Sequence, residues 1–170
     1  MKTALLLLVP LAFGVAQSPN NAANQHLIKE VRHELVMLPY VNIFDNLEFR
    51  VDGNNVTLMG QVTRPVIKSD AENVVKHVEG VGEVVNQIEV LPPSPADDAI
   101  RRATYTTLVR QPGLQLYFMQ SISPIRIIVK NGNVTLEGVV SNQADSDLAK
   151  IQANSVSGVF SVTNHLRVEK

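Results

Sequence analysis

Apolar positions along this chain follow two rhythms, and the rhythms change over in the same order twice. Leu27, Ile28, Val31, Leu35 and Leu38 recur at helical steps, with Lys29, Glu30, Arg32 and Glu34 between them, which predicts an amphipathic helix. Pro39 ends it. A period of two follows: Leu47, Phe49 and Val51 alternate with Glu48, Arg50 and Asp52. Asp52-Gly53-Asn54-Asn55 supplies residues that tolerate positive φ, as a tight hairpin turn requires. The return strand puts Val56 and Leu58 on one face, Thr57 and Met59 on the other. Ala71, Val74, Val75 and Val78 then mark the buried stripe of a second helix, which Gly80 can terminate. Val84, Asn86, Ile88 and Val90 lie on one side of a last strand.

The second half repeats this order. Ser94 is placed to cap a helix with Pro95 in its first turn and Asp97 at the capping-box position. Ile100, Ala103, Thr107 and Leu108 form its predicted inward face, and Pro112-Gly113 stops it. Ile125, Ile127 and Val129 alternate with Arg126, Ile128 and Lys130 around the turn Lys130-Asn131-Gly132-Asn133. Val134 and Leu136 oppose Thr135 and Glu137. Ala149, Gln152, Ala153, Val156 and Gly158 repeat the second helix, and Val162, Asn164, Leu166 and Val168 the last strand. From Val51 and Val129 onward the two copies align without a gap, keeping Gly60 with Gly138, Gly80 with Gly158 and Asn86 with Asn164. This is an internal duplication.

The predicted fold class is α+β: two tandem αββαβ modules, each a three-stranded mixed sheet with both helices on one face, which buries every apolar stripe named. The boundaries follow as a signal peptide over 1–16, a flexible linker over 17–25, modules over 26–91 and 96–170, and a Pro-rich linker over 92–95. Pro92, Pro93 and Pro95 restrict the path between the modules. Each module, at about 70 residues, is near the lower limit for folding alone, so packing between them or on a partner would help.

The N-terminus carries Lys2, an apolar run from Ala4 to Phe13, and Gly14-Val15-Ala16 before Gln17. That is the layout of a secretory signal peptide cleaved after Ala16. The run is short of the about 20 residues that span a bilayer, so the mature chain is expected to have no transmembrane helix. Cleavage removes one cation and takes the formal net charge from -1 to -2.

Composition narrows the chemistry. Apolar residues make up 45% of the chain but aromatics only 5%, so the cores must be aliphatic. Charge is mixed and slightly acidic, which disfavours nucleic acid as a partner. There is no cysteine, which excludes disulfides, thiolate metal sites, thiol catalysis and a lipidated Cys anchor. His26, His33, His77 and His165 show no paired ligand spacing. Asp97-Asp98 at a helix start is explained by capping and the helix dipole. Ser141 and Ser146 lack a nucleophile elbow, and Gly80-Val81-Gly82 precedes a strand rather than opening a nucleotide-binding helix. Asn55-Val56-Thr57 and Asn133-Val134-Thr135 fit a glycosylation pattern but sit in hairpin turns. No enzyme, cofactor or metal is expected.

Two motifs, each present twice, carry a resemblance. Val56-Thr57-Leu58-Met59-Gly60 and Val134-Thr135-Leu136-Glu137-Gly138 follow the hairpin turns. Gly80-Val81-Gly82-Glu83-Val84-Val85-Asn86 and Gly158-Val159-Phe160-Ser161-Val162-Thr163-Asn164 lead into the last strands. In this the chain resembles the BON domain family over nearly all of its mature length. The resemblance implies an αββαβ fold and a non-enzymatic, stress-related envelope role, in the periplasm or secreted, binding anionic phospholipid or other envelope components. The second copy departs from the first by extra residues, 114–124, between its first helix and first strand.

Two surfaces are candidate sites. Leu114, Leu116, Tyr117, Phe118 and Met119 form an apolar stretch, with Tyr40, Val41, Ile43 and Phe44 at the comparable place in the first module. It either folds back as core or is offered to lipid or an envelope protein, the latter suiting a chaperone-like interaction module. The second surface is the outward face of the second sheet, where alternation places Arg126, Lys130, His165 and Arg167 with Glu137. The same face of the first module carries Glu48, Arg50, Gln61, Gln87 and Glu89. The basic face is a solvated surface, a contact with the other module, or a site for anionic headgroups, each cation adding roughly 1 kcal/mol near a membrane.

Overall fold

The computed structural model describes residues 19–169; the segment read as a signal peptide, 1–16, lies outside them. The first module runs α1 (Pro19–Val36), β1 (Asn46–Asp52), β2 (Asn55–Val62), α2 (Pro65–Lys76), β3 (Val84–Asn86) and β4 (Glu89–Val90). The second runs α3 (Pro95–Val109), the short α4 (Gln115–Phe118), β5 (Ile125–Lys130), β6 (Asn133–Val140), α5 (Gln143–Asn154) and β7 (Ser161–Val168). In each, the middle strand pairs antiparallel with the first and parallel with the last. These are the expected mixed sheets of three strand positions, with β3 and β4 sharing one of them.

The linker read over 17–25 is corrected: α1 already begins at Pro19. Once Leu27, Val31 and Leu35 are buried the costly nucleus is in place, and extending toward the N-terminus costs only propagation, with Pro tolerated at the first helical position.

The aliphatic stripes of the sequence form two separate cores. Val56, Leu58, Val62, Ile67, Ala71 and Val75 close the first under α1. Ile125, Ile127, Val134, Leu136, Ala149 and Ala153 close the second under α3. The inward face of α3 differs from the predicted one. It is Asp97, Ile100, Arg101, Thr104 and Leu108, while Ala103 is exposed and Thr107 only partly covered. Polar side chains turn inward there because the hairpin supplies partners. The Asp97 carboxylate accepts the backbone N–H groups of Asn131 (2.9 Å) and Gly132 (2.8 Å). The Arg101 guanidinium donates to the Val129 carbonyl at 2.6 Å. At the turn itself Asn131 and Gly132 have φ of 52° and 77°, the pair of positive values a type I′ hairpin needs.

The duplicated asparagines pin each last strand to the helix before it. Asn164 Nδ2 donates to the Ser146 carbonyl (3.1 Å) and hydroxyl (2.9 Å), and its Oδ1 accepts the Leu166 N–H (3.2 Å). Asn86 does the same with the Lys68 carbonyl (2.9 Å), the Glu72 carboxylate (3.0 Å) and the Ile88 N–H (3.1 Å). Hydrogen bonds from Lys76 and Asn86 hold the Glu72 carboxyl below its ordinary range. Asn164→Ala is expected to lower the unfolding free energy by about 2 kcal/mol, read as a lower urea midpoint at unchanged slope.

A cleft between the modules

The modules meet through a short segment, residues 40–45, which links α1 to β1. Asp45 sets its shape. Its buried carboxylate accepts the Asn42 N–H at 2.9 Å, the Thr63 N–H at 2.6 Å and the Thr63 hydroxyl at 2.8 Å. Held this way, the segment presents the Ile43 carbonyl to the Ile127 N–H (2.9 Å) on the free edge of β5. Ile43 and Phe44 pack against the second module's core although they belong to the first. Phe44, Tyr105 and Phe118 continue the contact as two edge-to-face ring pairs, at 6.5 Å and 5.6 Å.

The outward face of the second sheet therefore looks toward the first module, and its residues have separate fates. Ile128 stands in the outward register yet is 4% exposed. Lys130 pairs with Glu89 of the first module at 2.5 Å, and His165 Nδ1 faces the Glu137 carboxylate at 2.6 Å. Arg126 donates to the Asn42 carbonyl at 3.1 Å. Burial pulls its guanidinium below the ordinary arginine range, and Asp45 opposes that shift. Arg126 and Arg167 both border a cleft of about 770 Å³ between the modules. The α1 residues Arg32, Leu35 and Val36 form another wall, and Gln120 to Ser123 of the insertion form a third.

The 114–124 insertion divides in the same manner. Leu114 and Tyr117 are core. The Tyr117 hydroxyl donates to Asp145 Oδ2 (2.6 Å) and accepts the Ser141 N–H (2.9 Å). Thr63, the repeat counterpart of Ser141, gives its N–H to Asp45 instead, so the modules satisfy the same part-buried backbone donor by two devices. Tyr117→Phe is expected to cost about 1–3 kcal/mol, because it leaves that donor unpaired, and a thermal melt reads the loss. Phe118 is half-buried in the cleft wall. Leu116, Met119 and Ile122 are exposed, Met119 at 77%. In the first module Val36, which lines the cleft, and the nearby Met37 and Tyr40 are exposed too, Tyr40 lying under the Arg64 guanidinium at 5.8 Å.

Of the residues singled out from strand alternation, Arg126 and Arg167 line the cleft, and of those in the insertion Phe118 does. Arg32, Asp45 and Ile122 line it too and carry no such signal in the sequence. Only the approach of the modules brings them to one place, and Ile128 was the one sequence signal of it, an apolar residue among outward cations. A second, more open groove lies between α1 and α2, with His26, Glu30, Glu34 and His77 on its walls. Among the described residues no group of three or more side chains is arranged to hold a metal ion.

Comparison with known proteins follows this division into modules. The BON domain family model matches residues 24–92 and again 96–170. The chain is 28% identical over 127 residues to the osmotically-inducible protein Y of Escherichia coli, covering 73% of this chain and 62% of that protein. It is 32% identical over 107 residues to the outer membrane lipoprotein DolP of Haemophilus influenzae, covering 63% of this chain and 54% of that one. The chain thus spans less than two thirds of the length of either relative. Among solved structures, the C-terminal domain of CdsD, a structural protein of the type III secretion system of Chlamydia trachomatis, aligns with 85% of this chain and 98% of its own. The identity is 14% and the TM-score 0.30.

Proposed function

The chain belongs to the BON domain family in both of its modules, and from that premise we propose that it is a non-enzymatic protein of the cell envelope that binds anionic phospholipid surfaces. The N-terminal segment fits export to the periplasm or beyond, and the two relatives are named for osmotic induction and for the outer membrane. Among the described residues no helix is long and apolar enough to cross a membrane.

One observation carries this proposal: an exposed apolar side chain from each module, Val36 from one and Ile122 from the other, lines the same cleft, and Met37, Tyr40, Leu116 and Met119 are exposed close by in the chain. Apolar groups gathered beside a cleft that holds arginines suit a surface of acyl chains topped by anionic headgroups. The alternative, capture of an envelope protein by the rings of the insertion, loses its principal contact because Tyr117 is buried.

Co-sedimentation with vesicles tests the proposal. The mature protein is expected to bind phosphatidylglycerol-containing vesicles more strongly than phosphatidylcholine vesicles, with affinity falling as salt rises. Leu116→Asp with Met119→Asp is expected to weaken binding at least about ten-fold, since two exposed apolar side chains that would enter the bilayer are replaced by charges. Equal binding to both vesicle types, or full binding by the double variant, would sink the idea.

A further inference from the structure

Among the described residues Arg126 is the cation whose surroundings explain it least. It is half-buried on a face that packs against the other module, yet its only hydrogen bond to a described residue is to the Asn42 carbonyl. Among the described residues no carboxylate lies within ion-pair distance of it, nor of Arg32 or Arg167. Asp45, the acid nearest in effect, spends its oxygens on Asn42 and Thr63, and Glu48 accepts from Asn46. The remaining Arg126 nitrogens are not sealed in, because the buried polar atoms left without a partner are those of Arg101 and Thr104. They open into the cleft, where a planar fork of donors is set for a bidentate anion.

We propose that the cleft is a headgroup site, in which the phosphate of one anionic phospholipid is held by Arg126, with Arg32 and Arg167 on the flanking walls, while the acyl chains stay in the bilayer against the exposed apolar side chains. This rests on the membrane-binding role proposed above and says where on the molecule the charge is recognised. Size and chemistry agree. A cleft of about 770 Å³ falls within the ~300–1,000 Å³ typical of small-ligand sites. A methylene occupies about the ~30 Å³ of one water, so the two chains of a phospholipid would alone need roughly 1,000 Å³. The cleft walls are more polar than apolar, which suits a headgroup and not a chain. Burial also strengthens the site: a half-desolvated guanidinium gains from an incoming phosphate what it has lost from water.

The test compares charge-matched variants of the whole mature protein on vesicles of phosphatidylglycerol in phosphatidylcholine. Arg126→Gln is expected to weaken binding about ten-fold, and the cleft pair Arg32→Gln with Arg167→Gln by at least about five-fold. The pair Arg102→Gln with Arg110→Gln removes the same charge from exposed positions outside the cleft and is expected to change binding less than about two-fold. Circular dichroism confirms the fold of each variant. Among the described residues neither exposed cleft arginine has an ion-pair partner, so their pair carries the test even if Arg126→Gln misfolds. A loss of binding in the outer pair equal to that in the cleft pair, or unchanged binding by a folded Arg126→Gln, overturns the headgroup site and leaves membrane binding standing. Failure of the wild type to bind vesicles overturns both. Millimolar inorganic phosphate is expected to compete weakly; complete displacement by it would show a site for free phosphate instead.

Discussion

Replacing Gly138 with alanine is expected to leave the second module unfolded. Gly138 has φ of +127°, and a Cβ there would stand 1.8 Å from the Pro124 carbonyl oxygen and 2.9 Å from its carbon. Both are backbone atoms, so no rotamer change relieves the overlap; β5 would have to move away from β6 along its pairing. The positive φ adds about 1–3 kcal/mol of strain. Together the cost exceeds about 4 kcal/mol, most of what a module of this size has. Gly60 repeats the situation, its Cβ falling 2.1 Å from the Asn46 carbonyl oxygen. Gly80→Ala serves as the control. Its φ is also positive, at +89°, but nothing lies within 4 Å of its Cβ position, so only the backbone penalty of about 1–2 kcal/mol applies. Circular dichroism and thermal melts should show Gly138→Ala losing one module's signal and Gly80→Ala folded with a lower midpoint. A folded, cooperatively melting Gly138→Ala would refute the close approach of the strands.

Asp45→Ala is expected to separate the modules as well as weaken the first. Three donors would lose their acceptor, two from Thr63 and one from Asn42. With hydrogen bonds to a charged group worth about 1.5–3 kcal/mol each, a net loss of roughly 3 kcal/mol or more is expected. The second consequence is particular to this architecture. Asn42 and Ile43 supply the carbonyls that receive Arg126 and the Ile127 N–H, so an unanchored segment releases the second module's sheet. The wild-type chain should unfold in one denaturant transition, and Asp45→Ala in two. The surface pair Lys130–Glu89 is too exposed to hold the modules alone, so Lys130→Ala should keep the single transition. One transition in Asp45→Ala, at a midpoint near that of the wild type, would show that the segment does not couple the modules.

The duplication made the fold legible. Period and turn chemistry placed the strands, and the in-phase glycines and asparagines marked positions with a common purpose. Their purposes were not legible, because each depends on atoms distant in sequence: Pro124 beneath Gly138, Ser146 beside Asn164. Where the copies differ, the sequence was weaker still. Asp45 aligns with Ser123 and has no repeat partner to draw notice. Tyr117 sat in an apolar run that concealed a hydroxyl bonded to Asp145. Asp97, Arg101 and Thr104 are polar residues at helical spacing, a pattern that apolar periodicity passes over. Strand alternation put the cations of the basic face on one side of the sheet, but their exposure depends on the placement of one module against the other, and alternation says nothing about that.

Lipid contact at the mouth of the cleft can be tested with a single reporter, because the chain has no tryptophan. Met119→Trp places one between Phe118 and Gln120, which line the cleft. Phe160→Trp places one at a side chain that is also fully open, 85% exposed, but outside the cleft lining. With phosphatidylglycerol-containing vesicles the emission of Met119→Trp is expected to shift to the blue and to be quenched by brominated acyl chains, while that of Phe160→Trp stays at its value in water. A shift at position 160 without one at 119, or no shift at either, would contradict the assignment of this surface to the membrane.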